Sequence, residues 1–292
     1  MAYLLSKSKY IRGLQCDRAL WLDVFNPRLA RYTAEQMRRF DRGRDFEYAF
    51  KSTFPDGIDL SAELKRNVDA YPVRTAELLD GIHTPSPLRG TPPNLGGELK
   101  SVTAVDEHYL GSSPKLGEGD RREAEVEECE TITLFEAGFL YDDVLVLADV
   151  VQQREDGTLD IYEVKSGTTL SETYRRDAAL QHYVISHCRE VRSFSIVHAG
   201  NAGVPPATGY ADVPSAEANA GETPAHPGFA IVDLTAELAT QHDEIARNIA
   251  AMKDILRHGE PDTPTGQHCL EPYACPYQHY CAQGVRQMSL FG

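Results

Sequence analysis

The sequence predicts an α/β protein with a mixed central sheet flanked by helices. Four runs within residues 131–200 have the alternating, β-branched and aromatic character of strands: TLFEAGFLY, DVLVLADVVQQ, LDIYEVK and SFSIVHAG. The segment SETYRRDAALQHYVISH separates the last two runs and places four residues at helical spacing: Tyr174, Ala178, Gln181 and Ile185. Residues 131–200 therefore form the predicted core.

The N-terminal part, residues 1–80, is predicted to be helical. One helix begins near Ser6 and ends between residues 16 and 22, and a second covers residues 34–50. Residues 81–130 contain proline pairs, glycines and the acidic run EGDRREAEVEECE without a sustained period. We expect this segment to be a loop insertion.

A second loop and a long helix are predicted toward the C-terminus. Residues 201–228 are rich in Pro, Ala and Gly, which is typical of a loop. Within residues 231–292 a helix is expected to end at Gly259, before Pro261. Its apolar stripe consists of Leu234, Leu238, Ile245, Ile249, Met252 and Leu256.

The charge of the chain bears on its partners. Its 29 Lys and Arg residues and 44 Asp and Glu residues give a net charge of −15. This total disfavours a nucleic-acid partner, because phosphates bind Lys and Arg. Residues 1–51, however, hold eleven basic and six acidic residues. A basic groove for nucleic acid is therefore compatible with the acidic total.

Composition also bears on location and on the cysteines. No apolar run approaches the roughly 18 residues of a membrane span, and the apolar stretch in MAYLLSKSKY is short for a signal peptide. We therefore expect a cytoplasmic protein with no membrane partner. In that compartment the six cysteines are expected to be metal ligands or buried thiols rather than disulfides.

The predicted hairpin carries charge where a strand normally packs apolar side chains. Asp149 interrupts the run VLVLADVV, and Glu163 and Lys165 share one face of the next strand. A buried carboxylate is unfavourable unless it is paired or bound to a metal. All three charges are explained if Asp149 and Glu163 hold a divalent cation beside Lys165. The alternative is a solvated ion pair between Glu163 and Lys165 on an edge strand.

The turn of this hairpin decides whether the two acids can meet. A two-residue loop at 156–157 would pair Asp149 with Val164 and place the acids on different faces. A three-residue loop at 155–157, with Gly157 left-handed, pairs Asp149 with Glu163. A shared metal site therefore predicts the three-residue loop.

The motifs ADVV…YEVKSG and DAALQHY resemble the core of the PD-(D/E)XK nucleases. They are most similar to the RecB-like branch, which includes CRISPR-associated exonucleases and the nuclease domains of RecB and AddB. The resemblance implies a restriction-endonuclease-like fold and one RecB-like nuclease domain over residues 1–292. It makes Asp149, Glu163 and the Val164 carbonyl metal ligands, and it makes Lys165 the catalytic lysine.

The same resemblance extends to two flanking helices. Gln181 belongs to the branch's glutamine motif, usually Q-x-x-x-Y, although Tyr183 lies only two residues further on. A polar residue on a buried helix face is the alternative for Gln181. In FDRGRDFEYAF, Glu47 falls where the branch often has a metal-binding histidine; otherwise it is an exposed helix acid. Glu136 is a further acid that could reach the site.

Four cysteines resemble the ligand set of the iron-sulfur members of this branch. These members have one cysteine before the core and three after it, as Cys16, Cys269, Cys275 and Cys281 are placed here. The resemblance implies a [4Fe-4S] cluster, which takes four thiolates. A helical iron-sulfur segment would then join the two termini.

Zinc is an alternative occupant of the same thiolates, or of three of them with His268 or His279. Structural zinc sites favour close C-x2-4-C pairs, whereas both gaps after Cys269 are five residues. The remaining cysteines, Cys129 and Cys188, are predicted to be ordinary thiols.

Together these features predict a Mg²⁺- or Mn²⁺-dependent nuclease. The resemblance implies exonuclease action on single-stranded DNA, in repair, recombination or anti-phage processing. The alternative is a non-catalytic nucleic-acid-binding or scaffold module that retains the fold and the cluster. The presence of Asp149, Glu163 and Lys165 favours the enzyme.

Overall fold

A computed structural model of the chain describes residues 4–81, 131–200 and 228–288. The predicted loops at 81–130 and 201–228 therefore lie almost wholly outside the described residues, as does Cys129. No helix in the described part of the chain has both the length and the apolar character that crossing a bilayer requires.

The predicted strands and helices are present in the predicted order, together with short strands and helices that were not predicted. The helices are α1 (Lys7–Gln15), α2 (Asp17–Phe25), α3 (Ala34–Lys51), α4 (Leu60–Leu64), α5 (Ala70–Gly81), α6 (Glu172–Ser186), α7 (Thr235–Ala239), α8 (His242–Arg257) and α9 (Gln278–Met288). The strands are β1 (Leu5–Ser6), β2 (Ile58–Asp59), β3 (Ile132–Tyr141), β4 (Val144–Gln153), β5 (Leu159–Lys165), β6 (Val191–Ala199) and β7 (Phe229–Asp233).

Within the described residues these strands form one open sheet of seven strands, in the order β2-β3-β4-β5-β6-β7. Strands β3, β4 and β5 are antiparallel neighbours, whereas β5 and β6 are parallel and joined through α6. The short β1 pairs in parallel with the beginning of β4, at Leu5 and Val144. The predicted α/β class and mixed central sheet are confirmed.

Helices cover both faces of the sheet. On one face α6 packs between the sheet and helices α1 and α8, and its central residues from Asp177 to Ile185 are all buried. On the other face Phe46 and Phe50 of α3 pack against Phe135 and Val150. The sheet is thus a central layer, and side chains from both helical layers reach its edges.

The long C-terminal helix is interrupted, which corrects the prediction of one continuous helix. Its apolar stripe is buried as expected, but α7 ends before Thr240 and α8 begins at His242. The Thr240 hydroxyl donates to the Glu237 carbonyl at 2.7 Å, and the Gln241 amide donates to the Leu238 carbonyl at 3.0 Å. These tight-turn bonds replace the helical ones and redirect the chain.

The two ends of the chain pack against each other. The Gln15 amide at the end of α1 donates to the carbonyls of His268 and Tyr273, each at 2.7 Å. Arg18 pairs with Glu260 at 2.6 Å. Consequently the residues preceding the core and those following it form one region beside α1 and α2.

Candidate active site

The β4–β5 turn has the predicted three-residue form. Gly157 is left-handed, with φ of 83°, and the Arg154 amide donates to the Thr158 carbonyl at 2.9 Å. Val150 therefore lies opposite Tyr162, and the next position in this register brings Asp149 opposite Glu163. The turn places both acids as a shared site requires.

The strand ladder opens at these acids. Between β3 and β4 the pairs Phe135–Val150 and Ala137–Ala148 leave a gap at Glu136 and Asp149, where Glu136 has a left-handed φ of 56°. Because a non-glycine residue seldom adopts this conformation, the gap is a local distortion of the sheet. Glu136 and Asp149 face each other across this gap, and their carboxylate oxygens lie within 4.8 Å of each other.

A hydrogen bond from the backbone of β5 holds the Asp149 carboxylate in place. Its Oδ2 accepts a hydrogen bond from the Val164 amide at 2.7 Å, and the side chain is almost fully buried. Burial, followed by the charge of Glu163, raises the pKa of Asp149 well above its ordinary value. Without a metal this carboxyl group is therefore biased toward the protonated form.

Glu163 is 1% exposed and is surrounded by cations. Its Oε1 lies 2.5 Å from the Lys165 Nζ and 3.1 Å from the Lys7 Nζ. Burial acts to raise the pKa of Glu163, but the two ammonium groups lower it well below its ordinary value. The solvated edge-strand pair is therefore excluded, because this ion pair is buried.

Lys165 lies between two acids. Its Nζ is 2.6 Å from Asp177 Oδ2 as well as 2.5 Å from Glu163. Burial favours the neutral amine, yet Asp177 and Glu163 raise the pKa of Lys165 well above its ordinary value. Sequence reasoning missed Asp177, although it lies one helical turn before Gln181 and therefore shares its face of α6.

Lys7 is a second cation that sequence reasoning missed. It follows β1, which runs parallel to β4, so the chain carries Lys7 along β4 toward Asp149. Its Nζ lies 3.8 Å from Asp149 Oδ1 and 3.1 Å from Glu163 Oε1. One ammonium group thus contacts both predicted metal ligands, and it occupies the kind of position that a bound cation would take.

A further acidic group adjoins Asp149. Carboxylate oxygens of Glu47, Glu136 and Asp149 all lie within 4.8 Å of one another, which no other set of His, Cys, Asp and Glu residues in the described ranges achieves. Lys51 bridges this group, with its Nζ 2.5 Å from Glu47 and 2.6 Å from Glu136. Burial raises the pKa of Glu136. Because its carboxylate is part of this acidic group, Glu47 belongs with Asp149 and is not an isolated surface acid.

Gln181 lies beside the site without good hydrogen bonds. It is fully buried, and neither amide atom has a partner of acceptable geometry, nor does Asp177 Oδ1. The amide still approaches Glu163 closely enough to help lower its pKa. Tyr183, in contrast, packs its ring 5.6 Å from that of Tyr141. The glutamine therefore reaches the site, whereas the tyrosine belongs to the core.

The donor set fits a divalent cation. Three ammonium groups face five carboxylates, which leaves a formal charge of −2 when all are ionised. Hard oxygen donors are the ligands that Mg²⁺ and Mn²⁺ prefer. The unpartnered atoms of Asp177 and Gln181 indicate a site whose polar groups are not all satisfied by the protein alone.

The four predicted cysteine ligands lie in the region where the chain ends meet. Cys16 is the residue between α1 and α2, Cys269 is buried, and Cys275 and Cys281 are partly exposed. Burial raises the pKa of the Cys275 and Cys281 thiols. Within the described residues, however, no three of these sulfur atoms lie within 4.8 Å of one another, so the thiols do not have a cluster-like arrangement. Cys188, outside this set, has an exposed side chain.

Comparisons of the chain with protein-family models, with curated proteins and with solved structures found no match. Functional inference consequently rests on the chemistry of these two groups of residues.

Proposed function

We propose that the protein is a metal-dependent nuclease that hydrolyses DNA phosphodiesters, with a restriction-endonuclease-like sheet. The observation that carries this proposal is the convergence of Asp149, Glu163 and Lys165 at one buried place where two strands separate. A fold has no need to bury acids and a lysine there, because an apolar core would be at least as stable.

Asp149 and Glu163, with the Val164 carbonyl and with Glu47 or Glu136, would hold Mg²⁺ or Mn²⁺. Bound there, the metal would supply an activated water and charge stabilisation at the phosphate. Lys165, oriented by Glu163 and Asp177, would stabilise developing negative charge on the phosphate. Lys7 and Lys51 balance the acids in the metal-free protein and would become available to the phosphate once a metal replaces them.

Single-stranded DNA is the proposed substrate, acted on from an end. The acidic total requires a local basic surface, and Arg28 and Arg31 are exposed on the segment between α2 and α3, as is Arg38 in α3. That segment adjoins the cysteine region, because the Arg31 amide donates to the Pro276 carbonyl at 3.0 Å.

A [4Fe-4S] cluster on Cys16, Cys269, Cys275 and Cys281 is the proposed second cofactor. The number of these cysteines matches the four thiolates that such a cluster takes, and the residues around them belong to the region where the two chain ends meet. None of these cysteines is among the residues around Asp149 and Glu163, so we propose that the cluster is structural. Stoichiometric zinc in place of iron would change the cofactor and leave that role intact.

The decisive experiment is cleavage of end-labelled single-stranded and double-stranded DNA of one sequence by protein purified without air. Mn²⁺ or Mg²⁺ should produce cleavage of the single strand, and EDTA should prevent it. Lys165→Met is the control for contaminating nuclease, because it removes the ammonium group and retains a similar length. Tight DNA binding without cleavage under any metal condition would identify a scaffold module instead.

A further inference from the structure

Lys7 contacts both acids of the proposed metal site. Its Nζ lies 3.1 and 3.2 Å from the two carboxylate oxygens of Glu163 and 3.8 Å from Asp149 Oδ1. A divalent cation would need oxygens of the same two carboxylates, at about 2.0–2.6 Å. An ammonium group and a divalent cation on this pair of acids would lie only a few ångströms apart and would repel each other strongly. The two cations are therefore mutually exclusive.

Lys165, the other ammonium group at Glu163, does not have to leave when a metal binds. It is also held by Asp177, whose Oδ2 is 2.6 Å from the Lys165 Nζ. Asp177 is not one of the proposed metal ligands, so this contact can persist in the metal-bound protein. The carboxylates that Lys7 contacts, in contrast, are the metal ligands themselves. A metal would consequently displace Lys7 rather than Lys165.

The backbone on both sides of Lys7 is fixed, whereas its side chain has a route to solvent. Leu5 and Tyr10 are fully buried, and the Leu5 amide donates to the Asp143 carbonyl at 2.9 Å. The Lys7 side chain is 24% exposed, compared with 1% for Glu163. The ammonium group can therefore turn outward without unfolding α1, and it remains tethered within reach of the site. A tether keeps the effective concentration of a competing group high.

We propose that Lys7 is an internal competitor for the divalent cation, so that metal binding displaces its ammonium group from Asp149 and Glu163. This inference rests on the metal site of the proposed function, and it does not require DNA cleavage. It names Lys7 as the residue that sets how tightly the site holds Mg²⁺ or Mn²⁺. The apparent dissociation constant for the metal is the intrinsic constant divided by the fraction of molecules in which the site is free of Lys7.

A supporting role for Lys7 would have the opposite effect on metal binding. If the ammonium group served to keep the two acids together, its removal would let the carboxylates repel each other and would weaken metal binding. If Lys7 competes, its removal strengthens metal binding. The direction of the change in affinity thus distinguishes the two roles.

The first test compares Mn²⁺ binding by wild type and by Lys7→Met, using isothermal titration calorimetry of anaerobically purified protein after treatment with EDTA and dialysis. Methionine retains a long apolar side chain and lacks the charge. The dissociation constant should be about tenfold lower in Lys7→Met than in wild type. An unchanged or higher constant would overturn the inference.

Lys9→Met is the matched control, because it removes one positive charge from the same helix. The Lys9 Nζ donates to the Leu4 carbonyl at 3.0 Å. Since separated charges are screened by salt, its dissociation constant should stay within about twofold of wild type at 0.15 M ionic strength. A decrease as large as that in Lys7→Met would assign the effect to net charge and would rule out direct competition.

Lysine labelling of wild-type protein tests the displacement without any substitution, and so remains informative if Lys7→Met does not fold. Acetylation by a water-soluble N-hydroxysuccinimide ester, measured by mass spectrometry, should modify Lys7 severalfold faster with Mn²⁺ than with EDTA. Lys9 should react equally fast in both. Equal rates at Lys7 in Mn²⁺ and in EDTA would contradict the displacement.

Neither measurement contains DNA, so the inference and the nuclease proposal can fail separately. Displacement of Lys7 by Mn²⁺ in a protein that cleaves no DNA would support the inference and refute the nuclease proposal. Mn²⁺-dependent cleavage without displacement of Lys7 would do the reverse. A wild-type protein that binds no Mn²⁺ would refute both.

Discussion

At the scale of single residues, Asp149 and Glu163 have opposite pKa shifts although they face one another. Burial and Glu163 raise the pKa of Asp149, whereas Lys165 and Lys7 outweigh burial and lower the pKa of Glu163. Without a metal, ionised Asp149 therefore destabilises the folded state, whereas ionised Glu163 stabilises it. The two residues should therefore respond differently to neutralisation.

Asp149→Asn should stabilise the metal-free protein at neutral pH. Asn can still accept the Val164 hydrogen bond, and it removes the buried charge. In EDTA we expect the free energy of unfolding to rise by on the order of 1 kcal/mol. Metal-dependent cleavage should be lost. Because a raised pKa means that folding takes up a proton, the gain should diminish as pH falls through the pKa of Asp149. Urea denaturation between pH 8 and 5 measures it; a destabilised variant would contradict the account.

Glu163→Gln should destabilise the metal-free protein. It leaves two ammonium groups, Lys7 and Lys165, with fewer acidic partners in a buried site. The free energy of unfolding should fall by about 3 kcal/mol at neutral pH. Because the pKa of Glu163 is lowered, this difference from wild type should shrink as pH falls below its ordinary value. The same urea series tests this, and a neutral effect would show that the charges are solvated.

The residues of the site were only partly predictable. Asp149, Glu163 and Lys165 lie on one hairpin, so turn length and strand alternation sufficed to bring them together. Lys7 and Asp177 come from distant segments, and their approach depends on how α1 and α6 pack on the sheet. Neither the periodicity nor the spacing of a single sequence contains that information.

At the scale of elements, α6 and α8 meet through a histidine pair. His182 Nδ1 and His242 Nε2 are 2.8 Å apart, and His182 is 4% exposed. Burial, with a contribution from His242, lowers the pKa of His182 to about 4. Burial and His187 also lower the pKa of His242, while Asp243 acts to raise it. The contact between these helices therefore requires neutral imidazole.

This contact should weaken as pH falls from 6.5 toward 4. His182 binds a proton more readily in the unfolded chain, so acid favours unfolding in that interval. His182→Gln retains a hydrogen-bonding group but does not titrate. Between pH 7.5 and pH 5, the free energy of unfolding should fall by about 2 kcal/mol more in wild type than in the variant. Parallel stability curves for the two proteins would contradict the assignment.

The elements themselves were largely predictable where the periodicity is long. The bounds of α3 and of β3 to β5 agree with the prediction to within a few residues. The interruption between α7 and α8 was missed because a buried apolar stripe continues across it, while hydroxyl and amide bonds at Thr240 and Gln241 end the helix locally. Short β1 and β2 exist only through pairing with longer strands.

At the scale of the whole molecule, a metal on the four cysteines would close nearly the entire chain into a loop. Closing a long loop lowers the entropy of the unfolded state, so the centre should stabilise the fold. Cys275→Ala should therefore lose stability together with the brown colour and the absorption near 400 nm of an iron-sulfur protein. Anaerobic purification, iron and zinc analysis and thermal melting measure both. A variant that melts like wild type would show that the centre does not join the ends.

The central claim is that the cation bound at Asp149 and Glu163 is the one that drives DNA cleavage. The most direct test is to titrate Mn²⁺ into anaerobically purified protein and to measure, in the same samples, Mn²⁺ binding and cleavage of a labelled single strand. Wild-type cleavage should rise in parallel with occupancy of the site, and Asp149→Asn should neither bind Mn²⁺ there nor cleave. Cleavage by Asp149→Asn at the wild-type rate, or Mn²⁺ binding by wild type without cleavage, would contradict the claim.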